Sequence, residues 1–203
     1  MIVLPTAYFG PLSHFALIFH EKEYRLEKHE SFCKQTYRNR CEILGPNGIL
    51  KLIVPLTKWQ NGTQTGNIKI SYEEDWQSHH WKSICTAYQS SPYFEFYEDD
   101  VHPMFQLKEE NLLDYNQKCE RMLKELLQLS ATDNYTSNYK IYSKDYRQLI
   151  HPKRRLEIFT KNSPTYIQVF SNKFDFQPNL SILDLLFNLG AESKHYLQNL
   201  SLL

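Results

Sequence analysis

No excess of either charge marks this sequence: 23 Lys and Arg are matched by 23 Asp and Glu. It therefore builds no whole-molecule field of the kind that gathers nucleic acid or an anionic membrane, and neither is expected as a partner. No apolar run approaches the roughly 20 residues that a bilayer span needs. The opening MIVLPTAYFGPL has no basic n-region and meets Pro5 at once, so no signal peptide is expected. Cys33, Cys41, Cys85 and Cys119 never fall into a C-x-x-C pair. Neither a zinc knuckle nor a disulfide framework is indicated, and free thiols in a reducing cytoplasm without a structural metal are the expectation. G-x-G-x-x-G, Walker and repeat patterns are absent too, so no cofactor can be named.

What is present is enough for a core. Of the 203 residues, 41% are hydrophobic and 14% aromatic, which one domain spanning 1–203 can bury. A short strand at Ile2 to Leu4 stops at Pro5, and a helix follows from Pro11 to about Glu21 with Leu12, Phe15, Ala16 and Phe19 on one face. The loop Thr6 to Gly10, with Tyr8 in it, would aim backbone N–H groups at an anion from a helix N-terminus. His14 sits on that first turn, as a candidate for proton transfer or as an ordinary hydrogen-bonded residue.

The most distinctive stretch is 34–56, KQTYRNRCEILGPNGILKLIVPL. Its second half reads as a hairpin, Arg40 to Leu44 and Ile49 to Leu56 around Gly45-Pro46-Asn47-Gly48. Its first half gathers Lys34, Gln35, Arg38, Asn39 and Arg40 with no carboxylate. Extended over 34–41, it would turn Arg38 and Arg40 to one face, where two guanidinium forks call for an anionic partner. That partner is either an acid within the chain or a group on a ligand.

Further on, Glu23 to Phe32, Asn67 to Tyr72 (NIKISY) and Tyr166 to Phe170 (YIQVF) alternate as strands. Asp75 caps a helix running to about Gln89, on which His80 lies beside the apolar stripe and is the second candidate for proton transfer. The aromatic segment Ser90 to Tyr97 breaks that helix. It leads to Asp99, Asp100 and His102, either a divalent-cation site or a solvated turn. A long helix is read over Glu109 to Leu129, a poorly packed polar and aromatic region over Ser130 to Arg155, and S-x-x-D capping at Ser181 and Asp184 before a short helix ended by Gly190. These elements amount to an α/β fold, a mixed sheet that includes the hairpin and Ile2 to Leu4, flanked by helices. A Rossmann-like three-layer core is one arrangement of that kind.

The blocks LPTAYFGPLSHF, KQTYRNRC, LIVPL, AYQSSPYFEFYED and NLSILDLLFNLG, in this order, resemble the WbqC-like family in the shorter form typical of Bacteroidetes. The resemblance implies a cytoplasmic transferase of cell-surface polysaccharide (O-antigen-type) biosynthesis, suggested to move an aminoacyl or glycine unit to a sugar. It brings no established catalytic residues. The opening Leu4-Pro5-Thr6-Ala7-Tyr8 departs from the Gln-Pro…Leu-Pro-Trp-Leu-Gly block of longer members. A fainter likeness to the opening of HIGH-type nucleotidyl transferases lacks that signature's second histidine. The expected partner is a small anionic metabolite, a nucleotide-sugar or aminoacyl donor among the options. The expected binding set is Thr6, Tyr8, Lys34, Gln35, Arg38, Asn39 and Arg40. The alternative is a non-catalytic ligand-binding or scaffold protein.

Overall fold

The computed structural model describes residues 1–154 and 164–200. Strand β1 (Ile2–Pro5), helix α1 (Leu12–Glu21) and strand β2 (Glu23–Glu27) form a βαβ unit, with β1 and β2 parallel from Ile2↔Tyr24 to Pro5↔Glu27. The hairpin follows as β3 (Arg40–Gly45) and β4 (Gly48–Ile53), then come helices α2 (Trp76–Tyr88), α3 (Phe94–Val101) and α4 (Leu112–Leu126). Strand β5 (Thr132–Tyr135) then lies parallel to β2, from Glu23↔Thr132 to Leu26↔Tyr135. Helices α5 (Ile182–Leu189) and α6 (Ser193–Asn199) close the described chain.

The fold is therefore mixed α/β, a three-stranded parallel sheet in the order β1-β2-β5 beside a two-stranded antiparallel hairpin. The hairpin does not join the sheet. Among the described residues no sheet contains both Ile2–Leu4 and Ile49–Val54, contrary to the expectation from sequence. The outward edge of β3 is taken instead by the loop before α5, where Ser181 N–H donates to the Glu42 carbonyl. Beyond β1, Val3 N–H donates to the Lys144 carbonyl and Tyr146 N–H to the Val3 carbonyl, so residues 144–146 run along the free edge of the sheet. All three strands end on one side, at Pro5, Glu27 and Tyr135. That is the side on which parallel sheets carry ligands.

The core explains why these segments hold together. Ile2, Leu4, Phe15, Ile18 and Leu26 of the βαβ unit are buried in one cluster with Ile43 and Leu52 of the hairpin and Leu123 and Leu186 of the helices. Each such side chain contributes roughly 1.5–3 kcal/mol on burial. Helix α4 starts three residues later than its periodicity suggests, because the Asn111 side chain accepts from Leu113 and Asp114 N–H and donates to the Gly66 carbonyl. Gly190 ends α5 at φ 56°, where a Cβ would stand 2.6 Å from the Tyr93 ring.

Several local expectations fail for tertiary reasons. Residues 34–39 are bends and turns, and the strand begins only at Arg40. Asn67 to Tyr72 makes only isolated bridges, Leu56↔Ile70 and Lys69↔Asn111, for want of a neighbour running alongside. Tyr166 to Phe170 is no strand: the Tyr166 hydroxyl and the Gln168 amide both donate to Asp184 and hold the segment against α5. Asp184 thus faces inward and does not complete a capping box, while Ser181 does accept from Leu183 N–H. The aromatic segment does break α2, which ends at Tyr88, but it also supplies α3 from Phe94 onward. Within the region read as poorly packed lies β5, and its last residue, Arg155, falls outside the described residues.

Candidate functional site

A cleft of about 350 Å³ opens where the loop leaving β2 meets the loop that follows the sheet edge. Arg38, Glu30 and His29 face it from the first side, and Arg147, His151 and Tyr139 from the second. Two glutamates and two arginines meet beneath it with almost no contact with solvent: Glu27, Glu30, Arg38 and Arg147 are 0%, 7%, 3% and 5% exposed. Arg38 donates through Nε (2.8 Å) and through Nη2 to Glu30 Oε1. Arg147 donates through Nε (2.8 Å) and Nη2 to Asp145, and its Nη1 stands 3.4 Å from Glu27 Oε2 and 3.8 Å from Glu30 Oε2. Neither that Nη1 nor Glu27 Oε2 has a hydrogen bond among the described residues. The Tyr139 ring stacks on the Arg147 guanidinium at 4.9 Å.

Burying charges is expensive even when they are paired, so a four-membered set at a sheet edge calls for a reason beyond stability. Burial raises the Glu30 carboxyl pKa, with the Arg38 and Arg147 charges opposing the rise. At the mouth the balance tips the other way. The His151 imidazole is lowered by partial burial and then by four cations, Arg38, Arg154, Arg40 and Lys153. The mouth of the cleft is electropositive, while its floor carries the Glu30 carboxylate. Such a pair of surfaces can hold an anionic group outside and receive a proton or a cationic group within.

The local sequence explains the placement of Arg38. Thr36 Oγ1 donates to the Cys33 carbonyl and accepts from Arg38 N–H, fixing a tight turn in place of an extended strand. Asn116 of α4 donates from one amide to both Thr6 Oγ1 (3.1 Å) and the Arg38 carbonyl (2.7 Å). Tyr8 N–H donates to the Tyr37 carbonyl. The loop Thr6 to Gly10 thus backs the Arg38 turn from behind, and Thr6 and Tyr8 are buried there. The N–H groups at the start of α1 are occupied by the chain itself, Leu12 on the Leu180 carbonyl and Ser13 on Asn179 Oδ1.

The remaining sequence candidates lie apart from the cleft. Lys34 and Gln35 are exposed on the preceding turn, and Asn39 extends the hairpin ladder to Val54 through main chain and side chain. His80 accepts from the Tyr8 hydroxyl at Nδ1 (2.8 Å) and donates to the Ile53 carbonyl, joining α2 to the first loop and β4. Burial pushes its pKa down to about 4, so it is neutral at ordinary pH. His14 is wholly buried on Glu120 (3.0 Å), which also accepts from Tyr24. Asp99 and Asp100 lie on α3, and His102 stacks on Trp81 at 4.6 Å. No three His, Cys, Asp or Glu side chains converge as a metal site among the described residues.

Sequence reasoning did not single out Glu27, Glu30 or Arg147. The signal available for Arg147 was a long polar, aromatic stretch without apolar periodicity, the mark of a loop that carries function. Cys33 also lines the cleft and is exposed, whereas Cys41 and Cys119 are buried and Cys85 is half-buried, all four thiols being free. Native alkylation by a maleimide is therefore expected to label Cys33 first, with Cys41 and Cys119 reacting only after unfolding. Mass spectrometry of the timed digest checks this order, and equal rates at Cys33 and Cys41 would contradict the structure.

The family model described as WbqC-like protein family matches residues 6–158 and 151–196. The uncharacterized protein Rv1507c of Mycobacterium tuberculosis is 26% identical over 226 residues, covering 97% of this chain and 96% of its own. No solved structure matches the chain significantly.

Proposed function

The chain belongs to the WbqC-like protein family, and on that premise we propose that it binds a small anionic metabolite in the Arg38–Arg147 cleft and acts on it as a transferase. The observation that carries this reading is the placement of Arg38, Arg147, His29 and His151 around one cleft of about 350 Å³ at the C-terminal edge of the parallel strands. Arg38 and the cations around His151 attract the anionic part of a donor. Glu30, at the floor, is the group able to accept a proton or to hold a cationic or hydroxyl group of the second substrate, with Glu27 buried beneath it. The wider setting, a cytoplasmic step in cell-surface polysaccharide assembly with a nucleotide-sugar or aminoacyl donor, comes from the family likeness and fits a cleft of this charge. One observation favours the second reading, a non-catalytic ligand-binding protein: both histidines expected to move protons are committed to structural contacts away from the cleft.

Mass spectrometry of metabolites co-purified with the protein identifies the ligand class first. Arg38→Lys is then expected to weaken its binding about ten- to a hundredfold, because a charge-assisted contact is worth roughly 1.5–3 kcal/mol and lysine loses the planar fork. Calorimetric titration of the variant with that metabolite, beside a thermal melt, reads both consequences. Unchanged affinity with a lowered melt would assign Arg38 to its pairing with Glu30 alone. Turnover of the bound metabolite by the wild-type protein separates transferase from binding protein.

A further inference from the structure

We propose that a second cleft, on the opposite side of the 151–154 segment, is an independent anion-binding subsite for a phosphate- or carboxylate-bearing ligand. Its volume is about 410 Å³, and Tyr37, Glu42, Lys51, Arg154 and Asn179 line it. Neighbouring residues look into the two clefts in turn. Arg38 and His151 line the first, while Tyr37, Pro152 and Arg154 line the second. The two spaces therefore share a partition only one strap of chain thick.

Among the described residues the charge inventory of the second cleft does not close on itself. In the hairpin register Glu42 stands opposite Lys51 and Arg40 opposite Ile53, so period-two alternation sets Arg40, Glu42 and Lys51 on one face. Arg40 Nη2 is 3.7 Å from Glu42 Oε1, beyond hydrogen-bond reach. Arg40 is only 8% exposed, and its Nε has no hydrogen-bond partner among the described residues. A buried donor of this kind is costly to leave unmet. The Lys51 and Arg154 side chains likewise make no hydrogen bond or ion pair among the described residues. Two cations, Lys51 and Arg154, thus line the space with one carboxylate, Glu42, and Arg40 lies behind it on the same hairpin face, so the concave, partly apolar space has room for a compensating anion.

The far wall is rigid enough to preorganise such a site. Asn179 adopts φ 61° with its Oδ1 held by Ser13 N–H, Leu180 accepts from Leu12 N–H, and Ser181 N–H is bonded to the Glu42 carbonyl. Gln177 is clamped from both sides, its N–H on Gln168 Oε1 and its carbonyl on Gln168 Nε2. None of these bonds uses Lys51 or Arg154. Among the described residues both cations line the cleft without a bonded partner.

The experiment is a pair of calorimetric titrations, with pyrophosphate and with succinate, on the wild type and on Lys51→Met, Lys51→Arg, Arg38→Lys and Lys58→Met. Lys51 is exposed, so its variants are expected to melt as the wild type does. The expected result is binding of one probe that Lys51→Met weakens about tenfold or more, that Lys51→Arg largely restores, and that Arg38→Lys and Lys58→Met leave unchanged. The probe that binds tells phosphate from carboxylate. Binding of neither probe, or unchanged affinity in Lys51→Met, would overturn the subsite. So would an equal loss in Arg38→Lys, which places the anion in the first cleft, or in Lys58→Met, which means general surface attraction. Failure here leaves the first cleft's own test, with the co-purified metabolite and Arg38→Lys, untouched.

Discussion

Replacement of Arg147 by methionine is expected to lower the free energy of unfolding by about 3–5 kcal/mol, the cost of breaking a buried ion pair on one side only. The effect is large because one guanidinium serves three carboxylates. Asp145 takes Nε and Nη2, while Glu27 and Glu30 face Nη1. Methionine fills most of the volume but leaves Glu27, fully buried at the end of the central strand, with its negative charge unopposed. The loop from Lys140 to Arg147 would loosen with it, since Arg147 Nη2 also donates to the Lys140 carbonyl. Arg147→Lys is expected to recover only part of the loss, because an ammonium cannot present two parallel N–H bonds to Asp145. Urea denaturation of the three proteins at pH 7 measures this. A loss within about 1 kcal/mol of a typical surface substitution would mean that the carboxylates find other partners.

The second large effect is a pH dependence centred on His80. Its folded pKa is depressed from 6.5 to about 4, chiefly by burial. Between those two values the unfolded chain binds a proton at this residue and the folded chain does not. Stability from this group is therefore fully present above about pH 6.5 and is lost as the pH falls toward 4. A shift of this size corresponds to about 3 kcal/mol at most, at 1.36 kcal/mol for each pKa unit. Protonation places a hydrogen on Nδ1, where the Tyr8 hydroxyl now donates, so the Tyr8 contact is broken in its present form. His80→Gln is expected to flatten the melting temperature between pH 6.5 and 4 relative to the wild type, while lowering it at pH 7. Parallel slopes in the two proteins would show that other groups carry the acid sensitivity. The outcome bears on function as well, since a histidine held neutral between Tyr8 and Ile53 is a joint of the scaffold.

Sequence alone determined a great deal about this protein where the signal is local. The opening strand and helix, the hairpin closed around Pro46 and Asn47, the stripes of α2 and α4 and the stop at Gly190 each follow from spacing, turn chemistry or caps within about a dozen residues. The ordered blocks of residues were also enough to identify the family. Arg38 was legible as a residue of interest because a carboxylate-free run of donors is uncommon beside a hairpin. What the tertiary structure alone decided is pairing. Thr132 to Tyr135 reads as polar coil, yet it becomes a strand because the free edge of β2 and the side chains of α4 receive it. YIQVF reads as a strand, yet it has no neighbouring strand among the described residues and follows the Asp184 carboxylate instead. The candidate site depends on contacts of this long-range kind. Arg38 and Glu30 are eight residues apart, but Arg147 reaches Glu27 and Glu30 from more than a hundred residues away. Burial is a property of the folded whole. Only it turned Tyr8, His14 and His80 into interior contacts and left Arg38 and Arg147 facing the cleft, because a side chain's access to ligand depends on what distant segments cover it.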